Sequence, residues 1–133
     1  MTPEERATMI AYRMAQAQDT LDQADILAQA GKWPGVVNRA YYAMFYAGLG
    51  LLLHRGVEAR KHTGVLSLID REYVRTGVLA KEQSVHLRAA FFARQNADYT
   101  DTIPVEGEKA KALLHDAGGF LAAVRGILQS SST

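Results

Sequence analysis

Asn38-Arg39-Ala40-Tyr41-Tyr42-Ala43-Met44-Phe45-Tyr46-Ala47 is the stretch on which the reading of this chain turns. Residues 41–46 hold three tyrosines and a phenylalanine, and no side chain from Ala40 to Leu53 is charged. A helix that is apolar on every side is buried on every side. This segment is therefore expected at the centre of a helical bundle or along a seam between two subunits. Its tyrosine hydroxyls need partners once buried. Arg39, at the entrance, stands where it can supply one or serve a site.

Working outward, Pro34 suits the opening of this helix and Gly56 its end. Gly48 and Gly50 each weaken its interior by about 1 kcal/mol relative to alanine, so close approach of a neighbouring helix is expected there. Upstream, Thr2-Pro3-Glu4-Glu5 reads as a helix start, with Thr2 as cap and Glu5 completing a capping box. Apolar residues then recur at Ala7, Ile10, Met14, Ala17, Leu21, Ala24 and Ala28, one face at helical spacing, up to Gly31.

Downstream, the spacing predicts a third helix from about Thr63 to Gly77, with Val65, Leu66, Leu68, Ile69, Tyr73 and Val74 inward. A fourth is expected from Lys81 to about Asn96, with Val85, Ala89, Phe92 and Ala93 inward. Asp98 to Val105 reads as a loop. A fifth helix is expected from Glu106 to Leu128, with Gly118-Gly119 as an interruption or bend. No strand-like alternation or internal repeat competes. Five helices with short connections predict an all-α, up-and-down antiparallel bundle. It forms one domain over residues 1–129, with 130–133 as a frayed tail.

Composition narrows the function classes. Lys and Arg number 15 against 14 Asp and Glu, so no global field points at nucleic acid. The absence of cysteine excludes disulfides, thiolate metal sites and a cysteine nucleophile. No secretory leader is visible and the apolar run is too short to span a bilayer. A soluble cytoplasmic protein with no membrane partner is expected. The four histidines show no metal-ligand spacing, and no phosphate-binding glycine loop or nucleophile elbow occurs. No metal or cofactor is expected.

Two polar clusters remain. Arg55, Arg60, Lys61 and His62, followed by Arg71 and Arg75, either hold phosphates or form a solvated basic face with Arg75 near a helix C-terminus. Arg94-Gln95-Asn96-Ala97-Asp98-Tyr99 gathers a guanidinium, two amides, a carboxylate and a phenol at a helix end. It is either a binding site or a local Arg94–Asp98 ion pair with Tyr99 covering the bundle end.

Taken in order, Arg39-Ala-Tyr-Tyr-Ala-Met-Phe-Tyr-Ala, His62-Thr-Gly64 and Arg94-Gln-Asn-Ala-Asp98-Tyr99 resemble the HEPN domain, chiefly its small stand-alone bacterial and archaeal members. The resemblance covers nearly the whole chain. It implies four long helices plus a short one, a homodimer, and a minimal nucleotidyltransferase encoded beside it as partner. Many such pairs look like toxin–antitoxin modules, in which the HEPN protein cleaves RNA and the nucleotidyltransferase silences it by attaching AMP to a tyrosine.

The resemblance also implies a metal-independent endoribonuclease built on an arginine, a polar residue directly after it, and a histidine four to six residues further on. In that chemistry the histidine polarises the 2′-hydroxyl or protonates the leaving oxygen, and the arginine stabilises the charged phosphorane. Arg94 and Gln95 fill the first two places. No histidine follows in the window. Asp98 and Tyr99 stand there instead, one a base that repels phosphate and the other a donor. His62 is a histidine that another helix can bring to the same cleft. The expected catalytic set is thus Arg94, Asp98 and Tyr99. The expected nucleotide- or RNA-binding set is Arg39, Tyr42, His62, Arg94 and Gln95. Three functions stay open: a toxin acting on RNA, a non-catalytic binder of nucleotide or partner protein, and a purely structural dimer.

Overall fold

The computed structural model describes residues 1–59, 61–99 and 104–130, apart from the side chains at 62, 63 and 99. Helix α1 spans Pro3–Gln29, α2 Trp33–His54, α3 His62–Ile69, α4 Lys81–Tyr99 and α5 Gly107–Ser130. A π-helical turn, Asp70–Val74, continues α3. Four long helices and one short one make an all-α bundle, with no strand among the described residues. No described helix is long and apolar enough to cross a membrane.

The helix ends follow the local chemistry read from the chain. The Glu5 backbone N–H donates to Thr2 Oγ1 at 3.1 Å, while Glu4 and Glu5 put negative charge at the positive end of the helix dipole. Gly31 and Gly56 close α1 and α2 with φ of 70° and 71°, a conformation that side chains with a Cβ resist.

Helix α2 is the centre, packed on α1, α5, α4 and α3. Val36, Ala40, Ala43, Met44, Ala47, Leu51 and Leu52 are fully buried. A Cβ on Gly48 would stand 2.9 Å from Ile69 Cδ1. One on Gly50 would stand 3.4 Å from Arg13 Cβ and Met14 Sδ. Both glycines therefore admit helices of the same chain, α3 and α1, and supply no argument for an intersubunit seam.

Several expectations are corrected. On α4, Val85 and Phe92 are 52% and 54% exposed and Ala89 is exposed; Ser84, Leu87, Ala90 and Phe91 face the core. Helix α4 has two apolar arcs, and contacts from other elements choose between them. Phe91 packs edge-on against Tyr41 with ring centroids 5.9 Å apart. The Asp70 carboxylate accepts from Ser84 Oγ and from Arg88 Nη2, the latter at 2.9 Å. Helix α4 also runs on through Asp98 to Tyr99, where a loop was expected; residues 100–103 lie outside the described residues. Gly118-Gly119 does not interrupt α5, because the backbone hydrogen bonds of a helix need no side chain. Ser130 is helical rather than part of a tail, and its hydroxyl donates to Ile127 O at 3.1 Å. On α1, Ala7 is exposed; the face meets the bundle farther along, from Met14 to Ala28.

Candidate functional site

Midway along α2, two arginines from different helices converge on Tyr42. Arg94, on α4, donates from Nη1 to Tyr42 Oη at 2.7 Å. Its guanidinium carbon lies 5.4 Å from the Tyr41 ring centroid and 5.5 Å from that of Tyr42, within cation–π range. Arg39, three residues before Tyr42 and so on nearly the same helix face, holds its guanidinium carbon 5.4 Å from the Tyr42 ring. One tyrosine ring thus carries two cations. Tyr42 is half-buried, and Phe45 and Tyr46 continue the aromatic strip along α2, with centroids 6.2 and 6.0 Å from the Tyr42 ring.

The charges here are only partly cancelled. Arg39 donates from Nε and Nη2 to Asn38 Oδ1 at 2.9 and 2.7 Å, and that acceptor is neutral. Among the described residues no carboxylate pairs with Arg39. Arg94 meets Asp98 one turn later, with Nε 3.7 Å from Oδ2. That distance suits an ion pair and is too long for a hydrogen bond. Arg94 Nε is buried and makes no hydrogen bond. Its side chain is 16% exposed, against 41% for Asp98. Burial pushes the Tyr41 hydroxyl well above the usual phenol range, with Arg94 pulling it down and Tyr42 pushing it up. Tyr41 therefore stays neutral beside the guanidinium.

Of the expected site residues, Arg39, Tyr42, Arg94 and Asp98 come together. Gln95, next to Arg94, is half-buried. The side chains of Tyr99 and His62 lie outside the described residues. The other histidines sit elsewhere. His54 is 12 residues beyond Tyr42, about 18 Å along the helix. His86 Nε2 is 3.9 Å from Asp116 Oδ1, and His115 lines a cleft with Leu21 and Asp25. A cavity of about 340 Å³ opens on the adjoining face of α4, with an apolar lining that includes Val37, Ala93 and Leu113 and with Asn96, Glu106 and Lys109 as polar groups; Arg94 does not line it.

In the second basic cluster, Arg55 and Arg71 are paired locally with Glu72. Arg55 donates to Glu72 O and lies 3.9 Å from its carboxylate, and Arg71 is 3.2 Å from the same carboxylate. Residue 60 lies outside the described residues.

Asn38 and Tyr41 belong to the site and were not singled out by the sequence. Neighbours one apart on a helix do not face each other, so nothing in the spacing announces that Asn38 receives Arg39. Tyr41 reads as one more buried aromatic until Arg94 arrives from α4.

Comparison with known proteins agrees with the ordered motifs. The HEPN domain model matches residues 10–127. A Thermotoga maritima protein named "UPF0332 protein" is 35% identical over 94% of this chain and 95% of its own length. Two Methanocaldococcus jannaschii proteins are also similar. "Putative toxin MJ0142" is 35% identical over 80% of this chain and 72% of its own length. "Putative toxin MJ0605" is 29% identical over 85% and 84%. With a family match across nearly its whole length and a five-helix bundle centred on the aromatic helix, this chain belongs to the HEPN domain family.

Proposed function

We propose that this protein is the toxin-like member of a two-gene module whose other product is a nucleotidyltransferase. In this reading it works as a homodimer, and its Arg39–Tyr42–Arg94 site binds the phosphate of RNA or of a nucleotide. The observation that carries the reading is the pair of guanidiniums on one half-buried tyrosine ring, with no carboxylate on Arg39 among the described residues. Like charges gathered in this way favour an anion between or over them. The names of the Methanocaldococcus relatives support the toxin side. The outward arc of α4, with Val85, Ala89 and Phe92, supports a second copy as its cover.

Binding is favoured over cleavage. No described imidazole stands at Arg94, the Asp98 carboxylate repels phosphate, and Tyr41 stays neutral as far as ordinary pH extends.

The test uses the full chain, purified alone, against a fluorescent single-stranded RNA oligonucleotide. Anisotropy reads binding, and a gel of the same samples reads cleavage. Binding that weakens with salt and is lost in Arg94→Gln is expected, with the RNA intact. Absence of binding at low salt, or binding unchanged in Arg94→Gln, overturns the proposal. Cleavage that disappears in Arg94→Gln moves the protein from binder to nuclease. Light scattering on the same samples should give a dimer, and Phe92→Lys should give a monomer.

A further inference from the structure

We infer that Asn38 is a positioning residue that holds Arg39 charged and oriented as the second arm of the anion site, an inference that rests on the proposed function of that site. Asn38 Oδ1 accepts from two donors of one guanidinium, Nε at 2.9 Å and Nη2 at 2.7 Å. Residues one apart on a helix diverge by about 100° and do not meet by default. Arg39 therefore has to fold back across its own helix to make this contact. The fold-back brings its guanidinium carbon 5.4 Å from the Tyr42 ring, where Arg94 has already docked. Left free, a long arginine on a helix surface samples many rotamers, and ordering it on ligand binding costs conformational entropy. The amide meets that cost before a ligand arrives.

The identity of the acceptor matters as much as its place. A carboxylate at position 38 would make a stronger bidentate pair with Arg39. It would also cancel the charge that the site offers. An amide oxygen orients the fork and leaves its full positive charge in place. Two of the guanidinium's donors are turned inward, and the others have no partner among the described residues. The like charge of Arg94 beside the same ring opposes this arrangement. The neutral tether is what holds the two cations together in the absence of an anion.

The experiment measures how RNA affinity depends on salt in the full-length protein, using the same single-stranded oligonucleotide. The slope of log affinity against log salt counts phosphates neutralised, about 0.7 for each contact with a single strand. Asn38→Asp keeps the side-chain shape and cancels Arg39. It should weaken binding on the order of tenfold at low salt and reduce the slope by about one contact. Asn38→Ala frees Arg39 but leaves it charged. It should weaken binding by a few fold with the slope unchanged. In an Arg39→Gln background Asn38→Ala should not matter further, because Asn38 acts through Arg39, and Asn38→Asp should keep only the roughly twofold cost of an added repelling charge.

A structural role alone would lower the thermal midpoint in both variants without moving the slope, and that result overturns the inference. So does an Asn38→Ala effect that persists in Arg39→Gln. Failure of the unaltered protein to bind RNA overturns both this inference and the function it rests on. Normal loss of binding in Arg94→Gln with no slope change in Asn38→Asp removes the inference alone.

Discussion

Arginine-on-tyrosine contacts form at the middle of helix α2 and at its C-terminal end, and the cations in them are met differently. Toward the C-terminal end, Arg55 lies over Tyr73, 4.4 Å from its ring centroid. Arg55 also donates to Glu72 O and faces the Glu72 carboxylate. A cation there is favoured by the helix dipole as well. The Arg55 backbone N–H turns to Leu52 O at 3.0 Å, and the Tyr73 hydroxyl donates to Leu51 O at 2.5 Å, covering a carbonyl of the last turn. Charge and hydroxyl both find partners within the chain, so this end is a clasp between α2 and the π turn. Midway along α2, Arg39 and Arg94 share Tyr42; Arg94 has the Asp98 carboxylate at 3.7 Å, but Arg39 is met only by a neutral amide among the described residues. The same side-chain types make a structural joint where the cation has a carboxylate, and the proposed ligand site is where a second cation, Arg39, has only an amide.

The contrast can be broken most directly at Tyr73, which is fully buried. Tyr73→Ala should cost about 3–5 kcal/mol of unfolding free energy in urea titration, with RNA binding by the folded fraction retained. A cost under about 1 kcal/mol would dissolve the clasp. Next, Arg94→Gln should lower RNA affinity at least about tenfold, near 1.4 kcal/mol, while lowering stability by about 1 kcal/mol. If stability falls much more than affinity, the two contacts are of the same kind and the distinction is lost.

Tyr73→Phe sharpens the clasp end. Losing the hydroxyl should cost about 1 kcal/mol near neutral pH. Burial pushes the Tyr73 hydroxyl up to about 12 from an ordinary 10.0, with Arg55 opposing the rise and Glu72 adding to it. The fold favours the protonated form, so this contribution is complete below pH 10 and is lost as pH rises through about 12. Unfolding measured at pH 9 and again near 11.5 should show a steeper loss in the unaltered protein than in Tyr73→Phe. Equal losses would mean that the hydroxyl does not sense burial. Smallest is Asp98→Asn. It should change stability by no more than about 0.5 kcal/mol and tighten RNA binding by about twofold, since it removes a repelling charge. Weaker binding would make Asp98 part of the ligand contact instead.

The local features were legible in the chain because they depend on near neighbours. Thr2 caps the helix it precedes, Gly31 and Gly56 end theirs, and the uncharged run from Ala40 to Leu53 marks the central helix, although it is not buried on every side: Tyr42, Phe45, Tyr46 and Leu49 stay half-buried. Each rests on a few consecutive residues or on one periodicity. The grouping of Arg39 with Arg94 came from the ordered motifs; it was not visible in the spacing of either cluster.

Register and partnership were decided only by tertiary structure. Periodicity shows that α4 has apolar arcs, but not which one meets the bundle. The contacts of Phe91 with Tyr41, and of Ser84 and Arg88 with Asp70 in an unannounced π turn, turned Val85 and Phe92 outward. The bond from Arg94 to Tyr42 joins residues 52 apart, and Asn38 meets Arg39 only because that guanidinium folds back across its helix. Sequence spacing constrains what lies along one helix. Which groups meet across helices depends on how the helices are rotated and shifted against each other, and that is set by packing of the whole core at once.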